Sequence, residues 1–201
     1  MPRTRDFPEA GRARLLDSGP TMHIALHTAR LTLRPFVAAD GPDVRRLAGD
    51  ARVAEFATAV PHPYPEGVAE QWIAGHGQAA RERRELNYAV TLRESGALLG
   101  SMSLLGIAPQ HARAEIGYWI GVPYWGQGYA SEAAARLVAH AHEEQGLTRI
   151  TAHCLARNPA SARVLEKAGL QCEGRRPLHV LQHGRYEDVL EFGCVLAGRT
   201  V

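Results

Sequence analysis

The chain has 201 residues, of which 45% are hydrophobic and 22% are charged, and its formal net charge is +2. This length allows one sizeable core, and the small net charge argues against nucleic acid or an anionic membrane as a partner. No apolar run approaches the ~20 residues of a membrane helix. Three widely spaced cysteines without a CxxC pair indicate neither a disulfide framework nor a zinc site. We therefore expect a cytoplasmic protein without a bound metal.

The N-terminal segment mixes arginines with acidic residues and lacks the apolar core of a signal peptide. We expect residues 1–27 to form a flexible tail and residues 28–201 to form a single domain. Within that domain, leucines alternate with polar residues over 30–36, which predicts a first strand. Aspartates at positions 40 and 43 then begin a short helix through Leu47. The remaining predicted elements, in chain order, are helix 66–84, strands 87–93, 98–107 and 113–121, helix 127–145, strand 147–154, a helix capped by Asn158 that ends at Gly169, and strands 172–181 and 185–196.

The segment 118–133 runs an aromatic and aliphatic strand into a glycine turn that opens onto an alanine-rich helix. Gly126 and Gly128 allow the backbone to approach a ligand closely, and the unpaired N–H groups at the helix start favour an anionic group. Several classes of nucleotide-binding protein have such a turn. Here Tyr129 and Ala130 stand where a P-loop has Lys and Ser/Thr, and the three spaced glycines of the dinucleotide motif are missing. The segment therefore predicts a cradle for a pyrophosphate without a metal-binding hydroxyl.

This loop resembles the signature of the GNAT superfamily of acyl-CoA-dependent N-acyltransferases, Gln/Arg-x-x-Gly-x-Gly/Ala. Gly128 and Ala130 occupy its two small positions, whereas Trp125 departs from its first position. The form Trp-Gly-x-Gly-Tyr-Ala is similar to the branch that includes the ribosomal-protein N-terminal alanine and serine acetyltransferases. Segments 30–36, 158–170 and 184–189 resemble, in the same order, the first strand, the last conserved helix and the closing hairpin of that branch.

The resemblance implies an α/β (α+β) fold with a mixed, mostly antiparallel central sheet of about six to seven strands, about four flanking helices and a splayed cleft that binds CoA. It implies acetyl-CoA as cosubstrate, with pantetheine lying beside strand 113–121 through the backbone groups of Ile120 and Val122. A backbone N–H between positions 118 and 120 would polarise the acetyl carbonyl, and Arg163 with Lys167 would meet the 3′-phosphate. The cofactor-binding residues expected on this basis are Ile120, Val122, Gly126, Gln127, Gly128, Tyr129, Ala130, Asn158 and Arg163.

Acetyl transfer also needs a neutral amine and a proton for the leaving thiolate. Strand alternation puts Glu115 on the same face as Gly117 and Trp119, so Glu115 is the candidate that accepts the proton of the amine through water. A salt-bridged structural role is the alternative for this carboxylate. The resemblance implies that Ser161, which stands where many relatives have a tyrosine, donates the proton to the thiolate. Capping of the helix by Asn158 and Ser161 is the alternative.

The aromatic side chains Tyr118, Trp119 and Trp125 are interpreted as core residues, of which only the backbone serves the site. The leading functional hypothesis is an acetyl-CoA-dependent N-acetyltransferase in which a protein or peptide α-amine attacks directly in a ternary complex. A small amine, such as an aminoglycoside, a polyamine or an amino-acid derivative, is the second hypothesis, and a non-catalytic CoA-binding module is the third. Segments 55–76 and 173–185 are expected to select the acceptor, and the stretch 57–62 is not acidic, which disfavours a polycation. Monomer and homodimer both occur among relatives, so both assembly states stay open.

Overall fold

The computed structural model describes residues 23–196 of the chain as one mixed sheet flanked by helices. The strands are β1 Leu26–His27, β2 Leu31–Pro35, β3 Leu86–Leu92, β4 Leu98–Ala108, β5 Arg113–Ile120, β6 Arg149–Leu155, β7 Gln171–Gln182 and β8 Arg185–Val195. The α-helices are α1 Gly41–Ala48, α2 Ala51–Ala54, α3 Val68–Arg81, α4 Tyr129–Glu143 and α5 Pro159–Lys167. The strand order is β1-β2-β3-β4-β5-β6-β8-β7, and only the β5–β6 pair is parallel.

The predicted fold class is confirmed, with two corrections to the number of elements. Eight strands are present among the described residues where six to seven were predicted, and five α-helices where about four were predicted. The additional strand, β1, has two residues, which are too few to show an alternating pattern. It lies inside the predicted tail 1–27, yet Leu26 is 1% exposed and pairs with Leu33, so the predicted end of the tail is wrong. Residues 1–22 of that tail lie outside the described residues.

Helices cover both faces of the sheet and form two apolar clusters. On one face, the alanine-rich side of α4 packs with Leu165 of α5 against Met102 and Ile116 of the sheet. Ala133 and Ala134 are fully buried there, because their small side chains allow α4 to lie close to the strands. On the other face, α1, α2 and α3 pack around Trp119. None of the helices described between residues 23 and 196 combines the length and the apolarity needed to cross a membrane.

The parallel strands β5 and β6 pair only at their first residues. Arg113, Ala114 and Glu115 pair with the segment 149–151, and beyond this point the two strands diverge. The connection between them runs through α4, as a parallel pair requires a crossover. The divergence leaves residues 116–120 of β5 without a strand partner on the side of β6, and a cleft opens at this place.

Candidate active site

The cleft between β5 and β6 has a volume of about 810 Å³. One of its walls is built by the turn between β5 and α4 together with the first turns of α5. The opposite wall is built by residues 56–60, by Trp72 of α3 and by polar side chains of β3 and β4. The cleft therefore has two arms that meet at the diverging ends of β5 and β6. We call the arm beside the β5–α4 turn and α5 the cofactor arm, and the arm beside residues 56–60 and Trp72 the acceptor arm. A cleft of this size accommodates a cofactor-sized ligand.

The free edge of β5 presents unpaired backbone groups to the cleft. The Gly121 N–H donates to the Leu99 carbonyl of β4, at 2.8 Å, and the Ala112 carbonyl accepts from Thr148 on the side of β6, at 2.7 Å. Since successive residues of a strand alternate the direction of their N–H and C=O groups, those of Tyr118 and Ile120 face the cleft. They have no strand partner in the described part of the chain, because the pairing with β6 ends at position 115. An extended amide-containing chain can add to this edge as an extra strand.

Trp125 does not lie in the core, which corrects the interpretation of this residue as a core aromatic. Its side chain lines the cleft and is 43% exposed, and its indole N–H donates to the Ile120 carbonyl at 2.6 Å. The Trp125 backbone N–H donates to the Val122 carbonyl at 3.2 Å. Of the Ile120 and Val122 backbone groups that were expected to bind pantetheine, both carbonyls therefore already accept a hydrogen bond. The N–H groups of Ile120 and Val122 are left as the donors at this end of β5.

The glycine loop, residues 126–130, joins β5 to α4 with its N–H groups unpaired among the described residues. Gly126 and Gly128 have φ angles of 73° and 81°, a left-handed conformation that side chains disfavour. Contacts within the protein use other groups of the loop: the Gln127 side chain donates to the Pro123 carbonyl at 2.9 Å, and Arg30 donates to the Gln127 carbonyl at 3.1 Å. The loop N–H groups and the positive end of the 15-residue helix α4 thus form a site for an anion.

Arg30 holds the glycine loop from the side of β2. Its guanidinium lies 4.5 Å from the centre of the Tyr129 ring and pairs with the Glu132 carboxylate at 2.7 Å. Glu132 also accepts hydrogen bonds from the Thr28 hydroxyl and from the Arg30 N–H, at 2.6 and 3.0 Å. These contacts fix the first turn of α4, so the loop is preorganised before a ligand binds.

Ser161 lies in the first turn of α5 and faces Tyr118 across the cleft. The Asn158 carboxamide accepts from the Ser161 N–H at 3.0 Å, which confirms the capping role of Asn158. The Ser161 hydroxyl lies 2.7 Å from the Tyr118 hydroxyl, and burial raises the pKa of Tyr118 far above its ordinary value. Tyr118 packs against the core, as predicted, but its hydroxyl makes a contact at the site that the sequence did not suggest. The two hydroxyls form a hydrogen-bonded pair beside the free edge of β5.

Glu115 forms an ion pair with His153 of β6, which the sequence had not singled out. The carboxylate Oε1 lies 2.5 Å from the imidazole Nδ1, and both side chains line the cleft. The contact with His153 holds the pKa of Glu115 below its ordinary value. The same contact raises the pKa of His153, although partial burial opposes this. The pair lies on the sheet face of Gly117 and Trp119, opposite to the face of Tyr118.

Contacts of Arg157 and Gln182 hold the acceptor arm of the cleft, at the borders of the two segments, 55–76 and 173–185, that were expected to select the acceptor. Arg157, after β6, donates to the Glu55 carboxylate at 2.7 Å and to the Glu187 carboxylate of β8 at 2.9 Å. Gln182, at the end of β7, donates to the Ala54 carbonyl at 2.8 Å. These hydrogen bonds connect the β7–β8 hairpin to the residues at and after the end of α2.

The structure gathers most of the predicted site residues around one cleft. Those that line it are Glu115, Ile120, Gly126, Gly128, Tyr129, Ala130, Asn158, Ser161, Arg163 and Lys167. Val122 packs against the cluster beneath α1–α3, and the Gln127 side chain folds back on the loop, so neither side chain lines the cleft. Between residues 23 and 196, no three His, Cys, Asp or Glu side chains come together in a way that could hold a metal ion.

Sequence comparison relates the chain to known acetyltransferases. The family model of the acetyltransferase (GNAT) domain matches residues 30–171. N-acetyltransferase YnaD of Bacillus subtilis is 31% identical over 154 residues, which cover 76% of this chain and 85% of that protein. The ribosomal-protein-serine acetyltransferase of Escherichia coli is 34% identical over 92 residues, 46% of this chain and 51% of that protein. Alignments with three Bacillus N-acetyltransferases, YnaD among them, cover between 65% and 95% of the lengths of those proteins.

Solved structures share the fold. RimL, a ribosomal L7/L12 alpha-N-protein acetyltransferase solved in complex with coenzyme A, superposes with a TM-score of 0.79 at 20% identity over 86% of this chain and 98% of that chain. A spermidine N-acetyltransferase from Vibrio cholerae, in complex with CoA and spermine, superposes with a TM-score of 0.73 at 21% identity over 84% of this chain and 96% of that chain. The glycine loop and the splayed strands are consistent with these sequence matches. The chain belongs to the GNAT acetyltransferase family, whose members are N-acyltransferases.

Proposed function

We propose that the protein transfers the acetyl group of acetyl-CoA to the α-amine of a protein or peptide. The amine and the thioester meet in the cleft as a ternary complex, and the amine attacks directly. The observation that carries the choice of acceptor is the charge of the cleft wall. Among the described residues that line the cleft, Glu85 and Glu115 are the two that are acidic, and Glu115 is already paired with His153. A polyamine or an aminoglycoside with several positive charges would lack carboxylates to bind it.

The binding of acetyl-CoA is supported by groups along the whole cofactor arm. The N–H groups of the glycine loop would bind the diphosphate, and the free edge of β5 would pair with pantetheine, with the Ile120 N–H as a donor. A cleft-facing N–H of β5 would also polarise the acetyl carbonyl. The cations Arg163 and Lys167 line the cleft on α5 and would bind the 3′-phosphate. The Asn158 side chain uses its oxygen for the cap and retains its amide donor for CoA.

An α-amine also matches the modest proton-accepting capacity of the site. At pH 7, a lysine of pKa ~10.4 loses its proton at a cost of roughly 4 to 5 kcal/mol, whereas an α-amine of pKa ~8 costs about 1 to 1.5 kcal/mol. Glu115 and His153 together form a weak base rather than a strong one. We propose that this pair receives the proton of the α-amine and that Ser161 protonates the departing thiolate of CoA. RimL, which has the same fold, acts on a protein α-amine according to its name.

The test is an acetylation assay with four acceptors: peptides that begin with Ala or Ser, the same peptides with a blocked N-terminus and an internal lysine, spermidine, and an aminoglycoside. We expect mass spectrometry to find one added acetyl group on the peptides with a free α-amine and little on their blocked counterparts. Preferential acetylation of spermidine would favour the small-amine alternative, as the fold shared with the Vibrio cholerae enzyme also allows. Binding of CoA without transfer to any acceptor would favour the non-catalytic module.

A further inference from the structure

The Glu115–His153 pair lines the cleft and has one ring nitrogen that the described contacts leave unused. Nδ1 of His153 lies 2.5 Å from the Glu115 carboxylate, and both residues line the cleft. Nε2 makes no hydrogen bond within the described part of the chain. A neutral imidazole whose Nδ1–H is bound to a carboxylate carries its lone pair on Nε2. The ring is therefore held in the tautomer that can accept a proton from a ligand in the cleft.

We infer that Nε2 of His153 is the atom that takes the proton from the acceptor amine, and that Glu115 is a positioning residue that orients the ring. This inference rests on the proposed acetyl transfer and assigns its proton acceptor. A carboxylate whose pKa is held low by an ion pair is a weak base toward an amine. An imidazole whose pKa is raised by a carboxylate is a better match for an α-amine.

The charged groups around His153 act together on its protonation. Glu115 of β5 contacts the ring directly, and Glu191 of β8 is its cross-strand partner. Arg176 of β7 opposes these two carboxylates, but it is paired with Glu191 and with His179. The net effect raises the pKa of His153 above its ordinary value. The neutral, proton-accepting form of His153 therefore increases as the pH rises through this raised value.

The transfer balances with the groups present. The lone pair of the amine nitrogen forms a bond to the acetyl carbonyl carbon, and the amine proton passes to Nε2 of His153. The C–S bond then breaks, its electron pair stays on sulfur, and the thiolate takes a proton from Ser161. The products are the acetylated amine and CoA in its thiol form. The imidazolium ion of His153 loses its proton to solvent, and Ser161, left as an alkoxide, regains a proton from solvent. No further reactant is needed.

The test is the pH profile of kcat/KM with an Ala-initiated peptide. For the wild-type protein we expect two ascending limbs, one from the free α-amine at pKa ~8 and one from His153, called the His153 limb. His153→Gln should lower the plateau by about 10²-fold and remove the His153 limb, while the affinity for CoA is retained. Glu115→Gln should keep the His153 limb but shift it to lower pH, because the imidazolium loses its partner. His111→Gln, at an exposed histidine in the turn before β5, is the matched control and should leave the profile unchanged.

A second measurement separates a catalytic role from a structural one. His153→Ala should recover part of its activity when free imidazole is added, and the rescued rate should follow the fraction of neutral imidazole. The inference is overturned if His153→Gln keeps both the wild-type rate and the His153 limb of the pH profile. It is also overturned if Glu115→Gln lowers the plateau rate without shifting the His153 limb, while His153→Gln leaves the plateau rate unchanged. In both cases the wild-type protein still acetylates the peptide, so the proposed function stands. Absence of transfer by the wild-type protein would instead overturn the proposed function.

Discussion

The Tyr118 hydroxyl lies 2.7 Å from the Ser161 hydroxyl and 3.2 Å from the Ser161 backbone carbonyl. The tyrosine stands on β5 and the serine in the first turn of α5, so the contact joins the two elements that border the cofactor arm. Because Tyr118 can donate to the carbonyl or to the hydroxyl, the Ser161 hydroxyl keeps its own proton available for a ligand. This relationship supports the proposed role of Ser161 as the proton donor.

We predict that Ser161→Ala lowers kcat by about 10²-fold with little change in the affinity for CoA, because the thiolate then leaves without a proton donor. Tyr118→Phe should cost less in rate and about 0.5 to 1.5 kcal/mol in stability, since it removes one hydrogen bond of a partly buried hydroxyl. Steady-state kinetics and CoA titrations of both variants provide the comparison. A larger loss of rate in Tyr118→Phe than in Ser161→Ala would transfer the donor role to the tyrosine.

The acceptor arm depends on Arg157, whose guanidinium bridges Glu55 and Glu187. We predict that Arg157→Gln raises KM for the peptide several-fold, which corresponds to about 1 kcal/mol of binding free energy. The reason is that the residues after α2 lose their hydrogen bonds to the β7–β8 hairpin through Arg157. CoA affinity should not change. Arg175→Gln is the matched control: Arg175 pairs with Asp188 in the same hairpin but does not line the cleft. Equal effects of the two variants on KM would contradict the role of Arg157.

Asp40 and Arg34 make the most buried carboxylate–guanidinium pair of the α1 region. Two hydrogen bonds of 2.7 and 2.8 Å join them, and Asp40 also accepts from the Val37 N–H at 2.9 Å. Asp40→Asn should therefore lower the free energy of unfolding by about 1 to 3 kcal/mol near neutral pH. Asp43→Asn, in the exposed pair with Arg46, should cost at most about 0.5 kcal/mol. Urea unfolding of the two variants measures the difference.

The same pair predicts a pH dependence of stability. Burial acts to raise the pKa of Asp40, but the hydrogen bonds from Arg34 and Val37 outweigh it, and the net shift is downward. A lowered folded-state pKa contributes stability that is complete above the ordinary value of 3.8 and is lost as the pH falls below it. The difference in stability between the wild-type protein and Asp40→Asn should thus narrow as the pH falls below 3.8. A gap that is constant between neutral and acid pH would contradict this account of Asp40.

Local sequence patterns predicted much of the fold and the cofactor arm. The predicted strand 113–121 and helix 127–145 agree closely with β5, Arg113–Ile120, and α4, Tyr129–Glu143, because alternation, glycines and helical spacing are local signals. The glycine loop is local in the same way: positive φ angles at Gly126 and Gly128 follow from the residue type and the turn.

The sequence missed one local contact of the site, made by Trp125, and two long-range contacts, Glu115 with His153 and Tyr118 with Ser161. His153 meets Glu115 only because β5 and β6 are parallel, with Glu115 opposite Thr151, and no single segment contains that register. Polar residues stand at alternating positions of both strands, and this pattern could have predicted that the two side chains share one face of the sheet. Trp125 appeared to be a core aromatic by its type, but its indole N–H binds the Ile120 carbonyl at the rim of the cleft. The strand β1 was not predicted because its two residues are too few to show the alternation of apolar and polar residues that indicates a strand.

The most direct test of the account is calorimetric titration of CoA into the wild-type protein, Gly126→Ala and Gly96→Ala. Both glycines have a φ of 73°, and an added Cβ would meet no protein atom within 4 Å at either position. The two variants should therefore lose similar stability, about 1 to 2 kcal/mol. We predict that the wild-type protein and Gly96→Ala bind CoA alike and in preference to ATP or NAD, whereas Gly126→Ala binds CoA at least about tenfold more weakly, because its Cβ enters the space of the diphosphate. Absence of CoA binding by the wild-type protein, or equal affinities of the two variants, would contradict the assignment of the glycine loop.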